Sequence, residues 1–208
     1  MIVITFVSQK GGVSKSTLSI NCAVAAESAK RRTLLIDLDP QGTAEQWYQE
    51  REVDTPRLVK IPAAALDKAI QTARQQGFQT VLIDTPGRDE PVTAAAIRTA
   101  DFCVIPCRPT AADMKATPPT VNTLKRLQKP FAFVLTQTPP RGFRIREADQ
   151  ALSVLGIVAP VPIVHRTTYQ DAFTVGQSVT EFEPEGKAAA EITQLWQWIT
   201  TKADKLTS

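Results

Sequence analysis

Histidine is nearly missing from this 208-residue sequence, cysteine is sparse, and no apolar run approaches the roughly 20 residues that crossing a bilayer requires. With His165 as the lone imidazole and no His/Cys cluster, an all-protein zinc site has too few ligands. Cys22, Cys103 and Cys107 are odd in number and follow no regular spacing, which argues against a disulfide scaffold. Cys103 and Cys107 lie in the apolar run FCVIPC and read as core packing rather than metal ligation. The apolar start MIVITFV lacks a basic leader and runs straight into a Gly/Lys loop, so it reads as a first strand and not a signal peptide. Repeats, low-complexity tracts and linkers are absent as well. A cytoplasmic, single-domain chain over 1–208, with no DNA-binding module ahead of it, is the expectation.

What is present alternates. Near-continuous apolar runs at 2–8, 33–39, 80–85, 102–107, 131–136 and 157–164 predict strands buried on both faces, hence a parallel sheet. Between them, 15–30, 63–76, 91–99, 112–128, 144–155 and 185–204 are predicted helices. This order predicts an α/β fold: a doubly wound, mostly parallel sheet with helices on both faces. Ligands of such sheets sit beyond the carboxyl ends of the strands, so residues following each strand carry the information. The formal net charge is only +3, but RLQK at 126–129 and RGFRIR at 141–146 are locally basic. Each segment alone reads more readily as a solvated face than as a phosphate-contacting one.

The first strand ends in SQKGGVSKST, residues 8–17, followed by a helix. Gly11 and Gly12 allow a tight curl that brings backbone N–H groups to an anion, and the helix start adds its free N–H groups and dipole. Val13 and Ser14 complete the cradle. Lys15 reaches β/γ-phosphates, Ser16 offers a hydroxyl to Mg²⁺, and Thr17 can donate to an α-phosphate. The strict G-x-x-x-x-G-K-[ST] pattern is not met, because Gln9 and Ser14 stand at its two glycine positions. The bland alternative is an ordinary strand-to-helix turn with an exposed lysine. Two further strands end in acids: Asp37 and Asp39 in LLIDLDPQG, and Asp84 in VLIDTPG. Carboxylates at strand tips beside a phosphate loop suit Mg²⁺ and water orientation; helix capping is their ordinary alternative. Asp84 suits the metal role, Asp39 water positioning or general base, and Asp37 support of Lys15 or the metal shell.

Together these segments resemble the ParA/MinD family of deviant Walker ATPases, which are P-loop NTPases, and most nearly the small plasmid-partition ParA proteins. The loop Lys10-Gly11-Gly12-Val13-Ser14-Lys15-Ser16, the LLIDLDPQG and VLIDTPG motifs, IPCRPTAAD at 105–113, and VPIVHRTTYQDAF with GKAAAEI near the C-terminus carry the likeness. The resemblance implies a weak, Mg²⁺-dependent ATPase with ATP and Mg²⁺ as cofactors. It implies Lys10 as the signature lysine reaching a partner's phosphates across an ATP-dependent sandwich homodimer, comparable to an arginine finger. It implies catalytic roles for Lys10, Lys15 and Asp39, and a Mg²⁺-linked role for Asp84. It further implies non-specific DNA binding and stimulation by a centromere-binding, ParB-type adaptor in DNA segregation, hence a nucleoid-associated protein. Arg141, Arg144, Arg146, Arg166 and Lys187 are the candidate DNA contacts. Thr110, Gln137, Pro162, Ile163 and Val164 follow later strands and are candidates to line the adenine pocket.

One departure stands out. Ser14 replaces a glycine, and a side chain there crowds the phosphates, or strains the loop if its φ is positive. Binding is expected to survive, since the backbone cradle and Lys15 remain. Two other readings stay in view. A MinD-like membrane role needs a C-terminal amphipathic anchor, yet Trp196 and Trp198 do not share a helical face, so no stable membrane association is expected. A nucleotide-switched DNA scaffold with negligible turnover differs from the ATPase only in rate. A nitrogenase-reductase-like role is rejected because Cys103 and Cys107 lie in a strand.

Overall fold

The computed structural model describes residues 1–88 and 90–207, with the side chains of 90, 206 and 207 outside the description. The strands are β1 (Ile2–Phe6), β2 (Thr33–Asp37), β3 (Arg57–Lys60), β4 (Thr80–Asp84), β5 (Phe102–Cys107), β6 (Phe131–Leu135) and β7 (Ile157–Val158). Among the described residues they form one seven-stranded sheet in the order β3-β2-β4-β1-β5-β6-β7, with every pairing parallel. The doubly wound α/β fold expected from the alternation is the fold observed.

Alternation along each strand divides the core in two. Ile4, Phe6, Leu35, Leu82, Val104 and Val134 face one side, and Val3, Ile36, Val81, Ile83, Ile105 and Phe133 the other. The first face is covered by α1 (Lys15–Ser28), α2 (Thr43–Gln49), α8 (Thr168–Thr174), α9 (Val179–Phe182) and α10 (Lys187–Thr207), through Leu18, Trp47, Ala172, Val179 and Leu195. The second face is covered by α3 (Leu66–Gln75), α4 (Glu90–Thr99), α6 (Pro118–Arg126) and α7 (Phe143–Ser153), through Ile70, Ile97, Leu124 and Leu152. A short helix, α5 (Ala111–Lys115), precedes α6. All three thiols are buried in this core and free, and burial pushes each up to about 12, so none is a ready nucleophile.

Two predicted elements change. The helix expected over 112–128 is two, because Pro118 and Pro119 cannot donate to the turn before them and instead open α6. The strand expected over 157–164 pairs only at Ile157–Val158, after which Pro160 and Pro162 interrupt the ladder; a single bridge, Thr138–Val164, resumes the contact.

Candidate functional site

Register builds the site. Phe6 pairs with Asp84, and Asp84 with Asp37, so three strands reach the carboxyl edge of the sheet at one level. The chain leaving β1 therefore passes directly beside the two acidic strand ends. The Thr85 hydroxyl locks this arrangement by donating to the Phe6 carbonyl at 2.7 Å. The loop 8–14 then curls back into α1, whose first internal bond is Leu18 N–H to the Ser14 carbonyl at 2.9 Å. The amides of Lys15, Ser16 and Thr17 have no carbonyl within the helix to bond, and they sit at its positive end.

Above the loop lies a cleft of about 1060 Å³ lined by Gly11, Gly12, Ser14, Lys15, Ser16, Thr17, Asp39 and Gly87, among others. A Cβ at Gly11 or Gly12 would meet nothing within 4 Å, so the backbone here opens directly onto free space. Lys15 is 7% exposed and its ammonium donates to the Lys10 carbonyl at 3.3 Å. Burial lowers its pKa, and the carboxylates of Asp84 and Asp39 partly restore it. Asp84 is fully buried; neither carboxylate oxygen has a well-formed hydrogen bond. Burial raises it to about 7, against the opposing help of the Ser16 hydroxyl, with Asp37 adding repulsion and Lys15 attraction. Asp37 differs: its oxygens accept from the backbone N–H of Asp39 at 2.9 Å and of Glu45 at 3.1 Å. It braces the turn and the start of α2, in the capping manner open to any aspartate there. Asp39 is half-buried on the cleft wall, where one oxygen accepts from Gln41 N–H at 3.0 Å.

Ser14 has φ 76°, the positive value that strains a serine. Its side chain is held at the cleft by Gln137, whose Nε2 lies 3.0 Å from Ser14 Oγ and 2.8 Å from the Gly12 carbonyl. Gln137 itself has φ 50°. Next to it, the Thr136 hydroxyl donates to the Val13 carbonyl at 3.0 Å. The strand end of β6 thus ties the phosphate loop from the side opposite Asp84.

Residues 4–159 match the family described as the CobQ/CobB/MinD/ParA nucleotide binding domain. This chain belongs to that family. The chain is 30% identical over 198 residues to "Maintenance of carboxysome distribution protein A" of Gloeobacter kilaueensis, spanning 91% of this chain and 88% of the relative. It is 29% identical over 196 residues to the protein of the same name from Halothiobacillus neapolitanus, spanning 89% and 90%. Among solved structures, the septum site-determining protein MinD complexed with Mg-ADP from Pyrococcus horikoshii superposes with a TM-score of 0.79, at 17% identity and covering 99% and 98% of the two chains.

As a MinD/ParA nucleotide-binding domain, the chain places the predicted site residues unevenly. Gly11, Gly12, Ser14, Lys15, Ser16, Thr17, Asp39 and Gln137 meet at one cleft. Lys10 is half-buried and touches the site through its carbonyl, without lining the cleft; Val13 is buried beneath it. Thr110 falls elsewhere, because it caps α5 and lines a groove with Met114, Arg144 and Glu147. Ile163 is 3% exposed in the core, its backbone pairing with Leu135 and Thr138, so its side chain is not available to a base. Pro162 and Val164 border a second cleft of about 550 Å³ with Arg141, Arg166 and Lys187. Arg141, Arg144, Arg146 and Lys187 are exposed, whereas Arg166 is ion-paired with Glu191. His165, the lone imidazole, is exposed.

Some cleft residues were not foreseen. Gln41 and Thr43, beyond β2, and Arg88 and Pro91, beyond β4, also line it. Each follows a strand's carboxyl end, so the rule that located the aspartates extends to them. The supporting role of Thr136 is set by a contact 123 residues away and leaves no local trace.

Proposed function

We propose that this chain is an ATPase that binds ATP with Mg²⁺ in the cleft, hydrolyses it slowly and pairs as an ATP-dependent sandwich dimer. The observation that carries this reading is Lys15, a nearly buried ammonium at the foot of an open, amide-lined loop with Asp84 and Asp39 near it. A buried lysine with an incomplete set of partners is suited to a polyphosphate, which replaces lost hydration with charge. Asp84, whose oxygens have no well-formed hydrogen bond, together with the Ser16 hydroxyl fits a hard cation that takes its other ligands from phosphates and water. No group of three or more His, Cys, Asp or Glu able to hold a metal alone occurs among the described residues, in keeping with a metal that arrives with its nucleotide. When bound, Mg²⁺ would neutralise developing phosphate charge; Lys15 would orient the same oxygens, and Asp39 would hold the attacking water. Lys10 would complete the partner's site.

The proposal extends to non-specific DNA binding through Arg141, Arg144 and Arg146, a nucleoid-associated cytoplasmic location, and a cargo coupled by a centromere-binding, ParB-type adaptor. The two near-full-length relatives are named for carboxysome distribution, which favours positioning of large cargo generally over plasmid partition alone. A membrane-bound mode is disfavoured by α10, whose Leu195, Trp196, Ile199 and Ala203 are spent on the core, and Trp198 is half-covered beneath Lys202 at 5.6 Å. Among the described residues no helix is long and apolar enough to cross a membrane.

The test is ATP turnover with light scattering on the wild type, Lys15→Ala and Asp39→Ala, with and without Mg-ATP and DNA. An ATP-dependent dimer that Asp39→Ala traps and Lys15→Ala abolishes supports the reading. A monomer in every condition, without turnover, overturns it; an ATP-dependent dimer with no turnover even on DNA favours the nucleotide-switched scaffold.

A further inference from the structure

The hydrogen bonds around Ser14 can be oriented without ambiguity. Gln137 places one terminal side-chain atom 2.8 Å from the Gly12 carbonyl oxygen and 3.0 Å from Ser14 Oγ. A carbonyl oxygen only accepts, so that atom is the amide nitrogen, and its two protons are divided between the two contacts. Ser14 Oγ must therefore accept. Its own proton is left over, and no acceptor for it exists among the described residues. Ser14 is half-buried and lines the nucleotide cleft, two residues past Gly12, where the cleft is open above the backbone. Both Ser14 and Gln137 hold left-handed backbones, a strained conformation for non-glycine residues that persists where surrounding contacts impose it and that clusters at ligand clamps.

We propose that Ser14 is itself a phosphate-binding side chain: its hydroxyl, turned outward because Gln137 takes its lone pair, donates a hydrogen bond to a polyphosphate oxygen. Gln137 is the positioning residue. The serine in place of glycine thus adds a donor to the loop, and the positive φ aims it. This inference rests on the reading that a nucleotide occupies the cleft.

Mant-ATP binding, and its competition by tripolyphosphate, tests it on wild type, Ser14→Ala, Gln137→Met and the double variant, with a thermal melt of each confirming the fold. A hydrogen bond to a charged oxygen predicts that Ser14→Ala weakens both ligands about tenfold or more, and by the same factor, since tripolyphosphate lacks a base. Gln137→Met lets the hydroxyl turn and is expected to cost roughly three- to fivefold. In the Ser14→Ala background the same change costs less than about twofold, because no hydroxyl remains to be aimed. If Ser14→Ala binds tripolyphosphate as tightly as the wild type, the inference fails. It fails equally if Gln137→Met costs the same with and without the hydroxyl, which would make Gln137 a plain brace for the Gly12 carbonyl. Should Ser14→Ala not fold, undiminished affinity in Gln137→Met overturns the proposal and the expected loss supports it. A wild type that binds neither ligand defeats the nucleotide reading instead, a distinct result.

Discussion

Gly87 lies against Gly11: a Cβ at position 87 would stand 3.3 Å from both the Cα and the N of Gly11, and 3.6 Å from Lys15 Nζ. The loop after β4 and the loop after β1 therefore touch backbone to backbone. At 3.3 Å this is tighter than about nine in ten real Cβ contacts, and the two nearest atoms are main chain rather than a flexible tip. Gly87→Ala is expected to push the phosphate loop by a few tenths of an ångström and weaken nucleotide binding, since small displacements of positioning groups are costly. Fluorescence titration with mant-ATP, beside a thermal melt, should show an affinity loss of about fivefold or more with the fold retained. Unchanged affinity would mean that the two loops slide apart freely.

Much of this arrangement was legible beforehand because it depends on strands that are apolar on both faces. Runs such as TLLID and TVLID admit no solvent-exposed face, so their burial, parallel pairing and acidic ends could all be read from composition. The edge strand β3 was missed for the complementary reason: RLVK is mostly exposed and carries cations at both ends, as an unpaired edge requires. Helix α2 was missed because it is seven residues long and held by one anchor, Trp47, whose indole N–H donates to the Gln177 carbonyl 130 residues away. The Ser14 substitution was visible, but its partner was not. Only the fold brings Gln137 to it, which converts a suspected obstruction into a hydrogen-bonded pair.

Arg51 carries a second long-range tie. It is 3% exposed at its side chain, forms a two-pronged pair with Glu181 at 2.6 and 2.9 Å, donates to the Gly176 and Thr55 carbonyls, and lies 4.8 Å from the centre of the Trp47 ring. Burial alone would raise the Glu181 carboxyl, yet the Arg51 hydrogen bond holds it below its ordinary value. Arg51→Ala strips that carboxylate of its cation, leaving it only Ser178, and takes the donor from two carbonyls; urea unfolding should show a loss of about 3–5 kcal/mol. Replacement of Arg51 at no cost would mean that water fills the space.

The exposed arginines at 141, 144 and 146 make a salt-dependence prediction. Each phosphate contact contributes a slope of about −0.9 to the dependence of log affinity on log salt. Alanine at all three should flatten that slope for ATP-bound protein on duplex DNA by about two to three, as measured by anisotropy at several salt concentrations. Mant-ATP affinity should be unaffected, as none of the three lines the nucleotide cleft. Arg166→Ala should instead lower stability, because Glu191 loses its cation and keeps only the Val164 amide. An unaltered slope in the triple variant would locate DNA elsewhere.

Asp84 makes the apo protein pH-sensitive in a definite direction. Its folded pKa stands at about 7, against about 3.9 in an unfolded chain. Between those values the native state holds a proton that the unfolded state has released, so native stability must fall as pH rises, and level off above the folded value. The effect is on the order of a few kcal/mol at most. Asp37, also raised, acts in the same sense, while Lys15, whose pKa burial lowers, acts in the opposite sense. Asp84→Asn removes the titration. In EDTA and without nucleotide, its urea midpoint should gain on the wild type from pH 5 to about pH 7 and then level off. A midpoint difference independent of pH would show that the Asp84 carboxylate finds partners, water among them, that hold its pKa near the ordinary value. The same variant should lose Mg-ATP binding while gaining apo stability, because the buried, unpartnered carboxylate that destabilises the empty site is the group a magnesium–phosphate complex would satisfy.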